Sequence, residues 1–238
     1  MNSIRIIIWK TLLIFKSYMK ESIKLIPVIV KLRKQSFSQT GEDLLIEKYL
    51  TGVTGSYLDI GSGSPVSGSN TFKFYSKGWR GTLVDPINRN IYFTKILRPK
   101  DKVYRCGIGK EGVQDFYEFI PYEYSTFDSS IADQRIQSGL FLKKKSKVSL
   151  MNLDLIVEGL SNPCFVSIDT EGFEEMVLSM FPWNKIKPDL FCVEEWRNPI
   201  LFRTKSRYIL EEKGYVLVAY TGLSSIYVLP KLLTVRDK

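Results

Sequence analysis

Residues 56–65 read SYLDIGSGSP, an apolar run typical of a buried strand that leads into a glycine-rich turn. Glycine is needed where the backbone turns tightly and where a ligand approaches it without a Cβ in the way. The residues SNT at 69–71 can cap a helix that follows the turn. The next apolar run, GTLVD, ends in Asp85, 24 residues after Gly61, where an acid binds the ribose hydroxyls of an adenosine cofactor. The pattern as a whole predicts a site for such a cofactor.

Short apolar runs alternate with helical patterns through the rest of the chain. Strands are predicted at 56–60, 81–85, 102–108, 114–119, 164–169, 189–194, 215–220 and 225–229, and helices at 69–77, 87–98, 152–160, 172–180 and 201–213. Repeated strand–helix units predict an α/β fold with a mostly parallel, doubly wound sheet. The last two runs are separated only by residues 221–224, so they are predicted to form an antiparallel hairpin. Residues 120–147, which contain the lysine run at 143–147, are predicted to form a long solvated loop or lid.

The net charge of +9 is confined to the two ends of the chain. Residues 1–34 carry +7 and the last eight residues +2, so residues 35–230 have no net charge and no nucleic-acid partner is expected. The chain also contains no histidine. This absence excludes Ser-His-Asp and Cys-His nucleophile systems, a histidine general base and histidine-ligated metals.

Residues 1–34 are expected to form a basic amphipathic segment that is separate from a domain at 35–238. Lys10, Lys16, Lys20 and Lys24 interrupt every apolar run, which argues against a signal peptide or a membrane span. The apolar face is expected to lie on an anionic membrane surface, or to pack against the domain or a second copy of the chain. The oligomeric state is left open. Three widely spaced cysteines fit buried thiols in a reducing compartment, so a cytoplasmic location is expected. If residues 1–34 bind a membrane, that membrane surface is expected to be its inner, cytoplasmic face.

The turn at 61–65 favours one class of adenosine cofactor over another. A dinucleotide fingerprint requires a third glycine at position 66, which is valine here. In addition, Asp59 lies two residues before the first glycine, and a carboxylate there repels a pyrophosphate. The same carboxylate suits a cationic ligand such as the amino group of S-adenosylmethionine.

Five sequence blocks then occur in order: SQTGED at 38–43, LDIG at 58–61, SNT at 69–71, GWRGTLVDP at 78–86 and IDTEGFE at 168–174. In this order they resemble the FkbM family of S-adenosylmethionine-dependent methyltransferases, over residues 36–229. The resemblance implies a Rossmann-like class I methyltransferase with a final antiparallel strand, which methylates a hydroxyl of a sugar, glycan or secondary metabolite. It also implies that Gln39 and Glu42 close the cofactor site from the first helix.

The cofactor is expected at the carboxyl ends of the first three strands. The proposed contacts are Asp59, Gly61, Ser62 and Gly63 for its methionine part, Asp85 for its ribose, and Cys106 and Gly107 for its adenine side.

Proton transfer must use another residue type because histidine is absent. The candidates are Asp169 and Glu171 after the fourth parallel strand, and Glu194, with Glu195 beside it, after the fifth. Clustered carboxyls can raise one another's pKa towards that of a useful base, or can hold a divalent cation such as Mg²⁺. The nearby Glu174 and Glu175 are expected on the solvent face of the next helix.

Two other functions remain open from the sequence. An NAD(P)-dependent Rossmann oxidoreductase shares the glycine turn and the ribose acid, but it lacks the third glycine. A non-catalytic scaffold at the membrane surface would use residues 1–34 as its working part. In the preferred interpretation the partner is a small-molecule or glycan acceptor.

Overall fold

The computed structural model describes residues 36–158, 160 and 163–233. These residues belong to two compact units, one of residues 36–114 with 148–233 and the other of residues 115–147. The predicted boundary after residue 34 lies outside the described residues, as does the whole predicted amphipathic segment. Within the described ranges, no helix combines the length and the apolar character needed to cross a bilayer.

A seven-stranded sheet forms the centre of the larger unit. Its strands are β1 (Ser56–Ile60), β2 (Arg80–Val84), β3 (Lys102–Tyr104), β7 (Phe165–Ile168), β8 (Leu190–Glu194), β9 (Val216–Tyr220) and β10 (Ser224–Val228). They are ordered β3-β2-β1-β7-β8-β10-β9. The strands β3, β2, β1, β7 and β8 run parallel to one another, whereas β10 is antiparallel to both β8 and β9. The predicted α/β fold with a terminal antiparallel hairpin is therefore confirmed.

The central strands are apolar because helices cover both of their faces. β7 is buried at every position, and β1 and β8 at all but one. The helices of this unit are α1 (Glu42–Tyr49), α2 (Phe72–Ser76), α3 (Asn88–Leu97), α5 (Leu153–Ile156), α6 (Glu174–Ser179) and α7 (Lys205–Glu212). Leu58, Val166 and Val193 belong to one apolar cluster of the core, and Tyr57 and Phe165 belong to another. The core thus anchors the strands whose carboxyl ends form the site.

Three sequence predictions on secondary structure are corrected. The run 102–108 is not one strand, because β3 ends at Tyr104 and β4 (Gly107–Ile108) belongs to a second sheet. That sheet also contains β5 (Gly112–Ile120) and β6 (Phe141–Met151), in the order β4-β6-β5. The predicted loop at 120–147 contains α4 (Ser129–Gln137) and most of β6. All five predicted helices are also shorter than expected; the structure assigns them as α2, α3, α5, α6 and α7.

The lysine run lies on β6 because acidic side chains on β5 offset its charge. Lys143 and Lys144 form ion pairs with Glu118 at 2.5 and 3.2 Å, and Lys145 and Lys147 both pair with Asp115 at 2.9 Å. Opposite charges on neighbouring strands stabilise a sheet. A run of lysines alone indicated solvation, and only the pairing partner makes it a strand.

Candidate functional site

The glycine turn after β1 packs against the ends of two neighbouring strands. The backbone N–H groups of Gly61 and Ser62 donate to the carbonyl oxygen of Val84 at 2.8 and 3.1 Å, and that of Gly63 donates to Asp85 Oδ2 at 2.8 Å. All three amides are therefore bonded to acceptors within the protein.

The two glycines of the turn are required for different reasons. Gly61 has φ +78°, and a Cβ there would lie 1.6 Å from the carbonyl oxygen of Asp169. Gly63 has φ +58°, but a Cβ there would meet nothing nearer than 4.0 Å. Gly61 thus permits close approach of a neighbouring strand end, whereas the space beside Gly63 is open to a ligand.

Asp59 lies on β1 and is held by a buried polar network that sequence reasoning missed. Its Oδ2 accepts a hydrogen bond from the Thr71 hydroxyl at 2.5 Å, and the guanidinium of Arg98 donates to Thr71 at 3.0 Å and to Tyr57 at 2.9 Å. Arg98 is fully buried and forms an ion pair with Asp101 at 2.8 Å. Burial raises the pKa of Asp59 to about 6, while the Arg98 charge and the Thr71 hydrogen bond oppose the rise.

The network changes the role expected for the SNT segment. Thr71 is the N-cap residue of α2, but its hydroxyl binds Asp59 and makes no cap. Ser69 Oγ instead accepts from the backbone N–H of Phe72 at 3.1 Å. The segment therefore both starts α2 and orients the acid of β1. Arg98 and Asp101 follow α3, where no local pattern separates them from surface charges.

Asp85 follows β2 and is also almost fully buried. Its carboxyl accepts hydrogen bonds from Gly63 N–H, from Ile87 N–H at 2.7 Å and from the side-chain amide of Asn90 at 3.1 Å. Burial raises the pKa of Asp85 to about 7 against these donors. Asp85 therefore fixes the glycine turn to the start of α3, a contact that the sequence interpretation did not include.

Three of the predicted acids meet at the ends of β7 and β8. Oxygens of Asp169, Glu171 and Glu194 all lie within 4.8 Å of one another. Burial and the neighbouring carboxyl charges raise the pKa of Asp169 well above its usual range and that of Glu194 to about 8. A hydrogen bond joins the side chains of Asp169 and Glu194. Among the described residues, Glu194 Oε2 is buried and has no hydrogen-bond partner.

The loop after β7 places Glu171 beside this pair. Glu171 has φ +55°, a left-handed conformation that is uncommon for a residue with a side chain. Glu174 stabilises the loop: its carboxyl accepts from Thr170 N–H at 2.7 Å, from the Thr170 hydroxyl at 2.9 Å and from Gly172 N–H at 3.2 Å. The prediction that Glu174 faces solvent is therefore wrong, although Glu175 is exposed as expected.

Glu195 is excluded from proton transfer by its own contacts. Its side chain accepts hydrogen bonds from the hydroxyls of Thr204 and Tyr227, and it is buried. Neighbouring positions in a strand point to opposite faces, so Glu194 and Glu195 separate at the strand end. Only Glu194 joins the acidic cluster.

Glu42 and Gln39, the two residues expected to close the site from the first helix, differ in solvent exposure. Glu42 is buried and accepts hydrogen bonds from Thr40 and, at 3.0 Å, from the Thr221 hydroxyl. Burial acts to raise the pKa of Glu42, but hydrogen bonds from Thr40, from its own backbone N–H and from Ser38 lower it overall. Its charge, with those of Asp169 and Asp59, adds to burial in raising the pKa of Cys192 in β8. Glu42 therefore lies near the other acids. Gln39 is exposed and approaches Gly68.

The SQTGED block begins α1 through the side chain of Ser38 and not through that of Thr40. The hydroxyl of Thr40 hydrogen-bonds to Glu42 and Thr221. Ser38 instead accepts from the N–H groups of Gly41 at 3.1 Å and Asp43 at 3.3 Å.

The expected adenine contacts follow β3 in the chain. Cys106 is buried just after β3, and burial raises its pKa to about 11, so the thiol is neutral. Gly107 begins β4 and pairs with Leu150 of β6. The structure places them after β3, and their part in binding stays a prediction.

Comparison with known proteins identifies one family. A model of the methyltransferase FkbM domain matches residues 59–217. No curated protein matches the chain.

Solved structures of several methyltransferases are similar to this chain. Precorrin-6y C5,15-methyltransferase from Geobacter metallireducens GS-15 is 12% identical with a TM-score of 0.46, over 82% of this chain and 90% of that one. A TehB-like SAM-dependent methyltransferase from Corynebacterium glutamicum ATCC 13032 is 10% identical, with a TM-score of 0.46 over 90% and 98%. A Burkholderia thailandensis 1,6-didemethyltoxoflavin-N1-methyltransferase, solved with S-adenosylhomocysteine, is 10% identical, with a TM-score of 0.41 over 90% and 86%.

Proposed function

We propose that this chain methylates a hydroxyl group of a sugar, glycan or secondary metabolite. The chain belongs to the FkbM methyltransferase family and is thus an S-adenosylmethionine-dependent methyltransferase. One observation carries this proposal: Glu194 Oε2 is buried and lacks a hydrogen-bond donor among the described residues. A buried acceptor without a partner costs about 1–3 kcal/mol. A substrate hydroxyl beside it would remove that cost and would be oriented by the same bond.

The chemistry of the turn fits S-adenosylmethionine, which supplies an activated methyl group on a positively charged sulfur. The carboxyls of Asp59 and Asp85 lie at the ends of adjacent strands and suit a cation and a ribose, and the space beside Gly63 is open. The amides of Gly61, Ser62 and Gly63 are already bonded within the protein, so none of these three N–H groups is free to bind a pyrophosphate. This observation favours S-adenosylmethionine over NAD(P). Cys106 and Gly107 are kept as the proposed adenine contacts, and Gln39 and Glu42 as residues that close the site.

The acidic pair can take up the proton that the substrate hydroxyl loses. Burial raises the pKa of both carboxyls, but the hydrogen bond between the two side chains raises that of Asp169 further and lowers that of Glu194. Asp169 therefore holds the shared proton, and Glu194 is the carboxyl that ionises as the pH rises through about 8. A base is most useful when its pKa lies near the working pH. We therefore assign Glu194 as the base, Asp169 as its hydrogen-bonded partner and Glu171 as a third acid that contacts the acceptor.

Activity measurements can test the base assignment directly. We expect Glu194→Gln to slow methyl transfer by about 10²–10⁴-fold, the usual contribution of a general base, while the affinity for S-adenosylhomocysteine changes little. Glu175→Gln is the matched control because Glu175 is exposed. Hydroxyl-bearing saccharides and amine-bearing compounds are offered as separate acceptor pools with radiolabelled cofactor. Transfer to amines alone, or full activity of Glu194→Gln, would refute the proposal.

A second interpretation of the acidic cluster is that it binds a divalent cation. Oxygen ligands at this spacing have the donor chemistry that Mg²⁺ requires. The distinguishing measurement is activity after chelation with EDTA, followed by addition of Mg²⁺. Loss that Mg²⁺ restores would favour metal-assisted ionisation of the hydroxyl, whereas unchanged activity favours the carboxyl base.

A ligand screen separates the methyltransferase from the oxidoreductase and scaffold alternatives. A ligand that binds only the native state raises the unfolding temperature. We expect a rise with S-adenosylhomocysteine and none with NAD or NADP. A rise with NAD or NADP would favour the oxidoreductase, and no rise with any of the three would favour the scaffold.

The proposed location is cytoplasmic, with residues 1–34 in peripheral contact with an anionic membrane. This proposal rests on their charge of +7 and on the broad apolar face in the sequence. It would bring the protein to a lipid-linked or membrane-associated saccharide. In flotation with anionic vesicles, replacing Lys16, Lys20 and Lys24 by glutamine should reduce binding; unchanged flotation would refute the role of these lysines.

A further inference from the structure

The loop between β8 and α7 exposes several large apolar side chains. We define residues 196–203 as the apolar loop. Within it Trp196 is 66% exposed, Ile200 62%, Leu201 74% and Phe202 59%. Exposed apolar residues are usually scattered singly, and a contiguous group marks a surface that binds something.

The apolar loop is an ordered turn that presents these side chains. Asn198 Oδ1 accepts from Ile200 N–H at 2.9 Å, and the Asn198 carbonyl accepts from Phe202 N–H at 3.0 Å. The carbonyl of buried Pro199 accepts from Arg207 of α7 at 2.6 Å. Beyond the loop, Thr204 donates to Glu195. Both ends are thus fixed to the larger unit, so the outward direction of the apolar side chains is built into the fold.

The charge around the apolar loop indicates the nature of its partner. Residues 196–205 contain Arg197, Arg203 and Lys205 and no acidic residue. The side chains of Arg203 and Lys205 are each 63% exposed, and they also form surface ion pairs with Glu211 at 3.1 Å and Glu175 at 3.8 Å, outside the loop. The side chain of Arg197 is exposed as well. Tryptophan and aliphatic residues with flanking basic side chains suit the interface of an anionic bilayer, where the rings enter the headgroup region and the cations bind lipid phosphates.

We propose that the apolar loop inserts into the headgroup region of an anionic membrane. The exposed area of its apolar tip is of the order of a few hundred Å². Each partner in a standard protein–protein interface buries about 800 Å², so the tip alone is too small for a stable dimer. The contact is independent of residues 1–34, and two weak membrane contacts in one chain strengthen each other.

The apolar loop lies beside the acidic cluster, so a membrane bound at the loop would be close to the proposed site of methyl transfer. The side chain of Trp196 hydrogen-bonds to Glu194, the base in the proposed function, on which this step rests. A membrane bound at the loop therefore lies at the end of the sheet that carries the acidic cluster. The substrate class that fits is an acceptor whose hydroxyl group is held at the bilayer surface by a lipid anchor.

The test uses the full chain and vesicles of phosphatidylcholine with about one-third phosphatidylglycerol. The variant Ile200→Ser/Leu201→Ser/Phe202→Ser should bind these vesicles at least about tenfold more weakly than the wild type. A matched control replaces three apolar residues of similar exposure elsewhere, Tyr92→Ser/Ile96→Ser/Val113→Ser, and should bind as the wild type does. Both variants are also made with the three lysine replacements described above, so that the loop's contribution is measured when that of residues 1–34 is weakened.

Several results would overturn the proposal. They are equal vesicle binding by the wild type and the loop variant, an equal loss in the control variant, or no wild-type binding to anionic vesicles. A wild-type dimer that the loop variant converts to a monomer would show instead that the loop joins two copies. If S-adenosylhomocysteine raises the unfolding temperature equally in the wild type and in the loop variant, the loop variant is folded. The same measurement separates failure of the membrane proposal from failure of the proposed function, because cofactor binding without vesicle binding refutes the membrane contact alone.

Discussion

Gly61→Ala should destabilise the protein much more than an ordinary glycine replacement. The new Cβ would lie 1.6 Å from the carbonyl oxygen of Asp169, whereas ordinary contact begins at 3.4 Å, so β1 and β7 must separate by nearly 2 Å at their ends. The left-handed conformation costs about 1–2 kcal/mol. Overpacking adds about 1–3 kcal/mol. The hydrogen bond from Asp169 N–H to the Ile60 carbonyl, 2.9 Å long, is worth about 0.5–1.5 kcal/mol and would be lost.

Thermal unfolding provides the assay, and the same turn provides the control. The free energy of unfolding should fall by about 3–6 kcal/mol, which lowers the unfolding temperature by roughly 6–20 °C in a domain of this size. Gly63→Ala meets no atom nearer than 4.0 Å and should cost only about 1–2 kcal/mol for its φ of +58°. It should instead reduce the affinity for S-adenosylhomocysteine, measured by calorimetry. Equal losses of stability in the two variants would refute this division of roles.

Four further predictions concern the acids. Asp85→Ala should weaken S-adenosylhomocysteine binding, measured by calorimetry, about tenfold or more with the fold retained, because a hydrogen bond to a charged group is worth about 1.5–3 kcal/mol. Unchanged affinity would remove Asp85 from the cofactor site. The value of kcat/KM should rise with pH through about 8 as Glu194 ionises, and Glu194→Gln should remove this rise. Since the folded pKa of Glu194 lies above its usual 4.5, its contribution to stability is present at low pH and is lost as the pH rises from about 5 to 8; thermal unfolding should show this slope flattened in Glu194→Gln. Glu174→Ala should lower kcat with little effect on cofactor affinity, because the loop that holds Glu171 loses its acceptor, whereas Glu175→Ala should leave both unchanged.

The sequence was sufficient for the elements whose pattern is local. Continuous apolar runs predicted the buried parallel strands, and the short connection at 221–224 predicted the hairpin of β9 and β10. The acids Asp169, Glu171 and Glu194 were predicted to meet because carboxyl ends of parallel strands share one edge. This rule depends only on topology, so no side-chain geometry was needed.

The features that the sequence did not reveal depend on contacts between distant segments. The lysine run at 143–147 became a strand through Glu118 and Asp115, which lie about 30 residues earlier. Arg98 is fully buried because Tyr57 and Thr71 bind its guanidinium, and neither partner is adjacent in sequence. A charged residue carries no local sign of such burial. The incorrect placement of Glu174 has a different reason: its partners in Thr170 and Gly172 are close in sequence, but the conformation of the loop that aims them at the carboxyl leaves no pattern in the sequence.

The absence of histidine makes the site dependent on carboxyls whose ionisation is costly. Burial raises the pKa of Asp59 to about 6, of Asp85 to about 7 and of Glu194 to about 8. A positively charged ligand beside such groups favours their ionised forms, and its attraction to them is stronger than in water. Methyl transfer from a sulfonium leaves a neutral sulfur, but the product keeps the amino group that is proposed to bind Asp59 and the ribose that is proposed to bind Asp85. In the proposed function, the burial that raises the pKa of Glu194 towards that of a useful base therefore also strengthens the attraction of Asp59 for the amino group, in the cofactor and in its product alike.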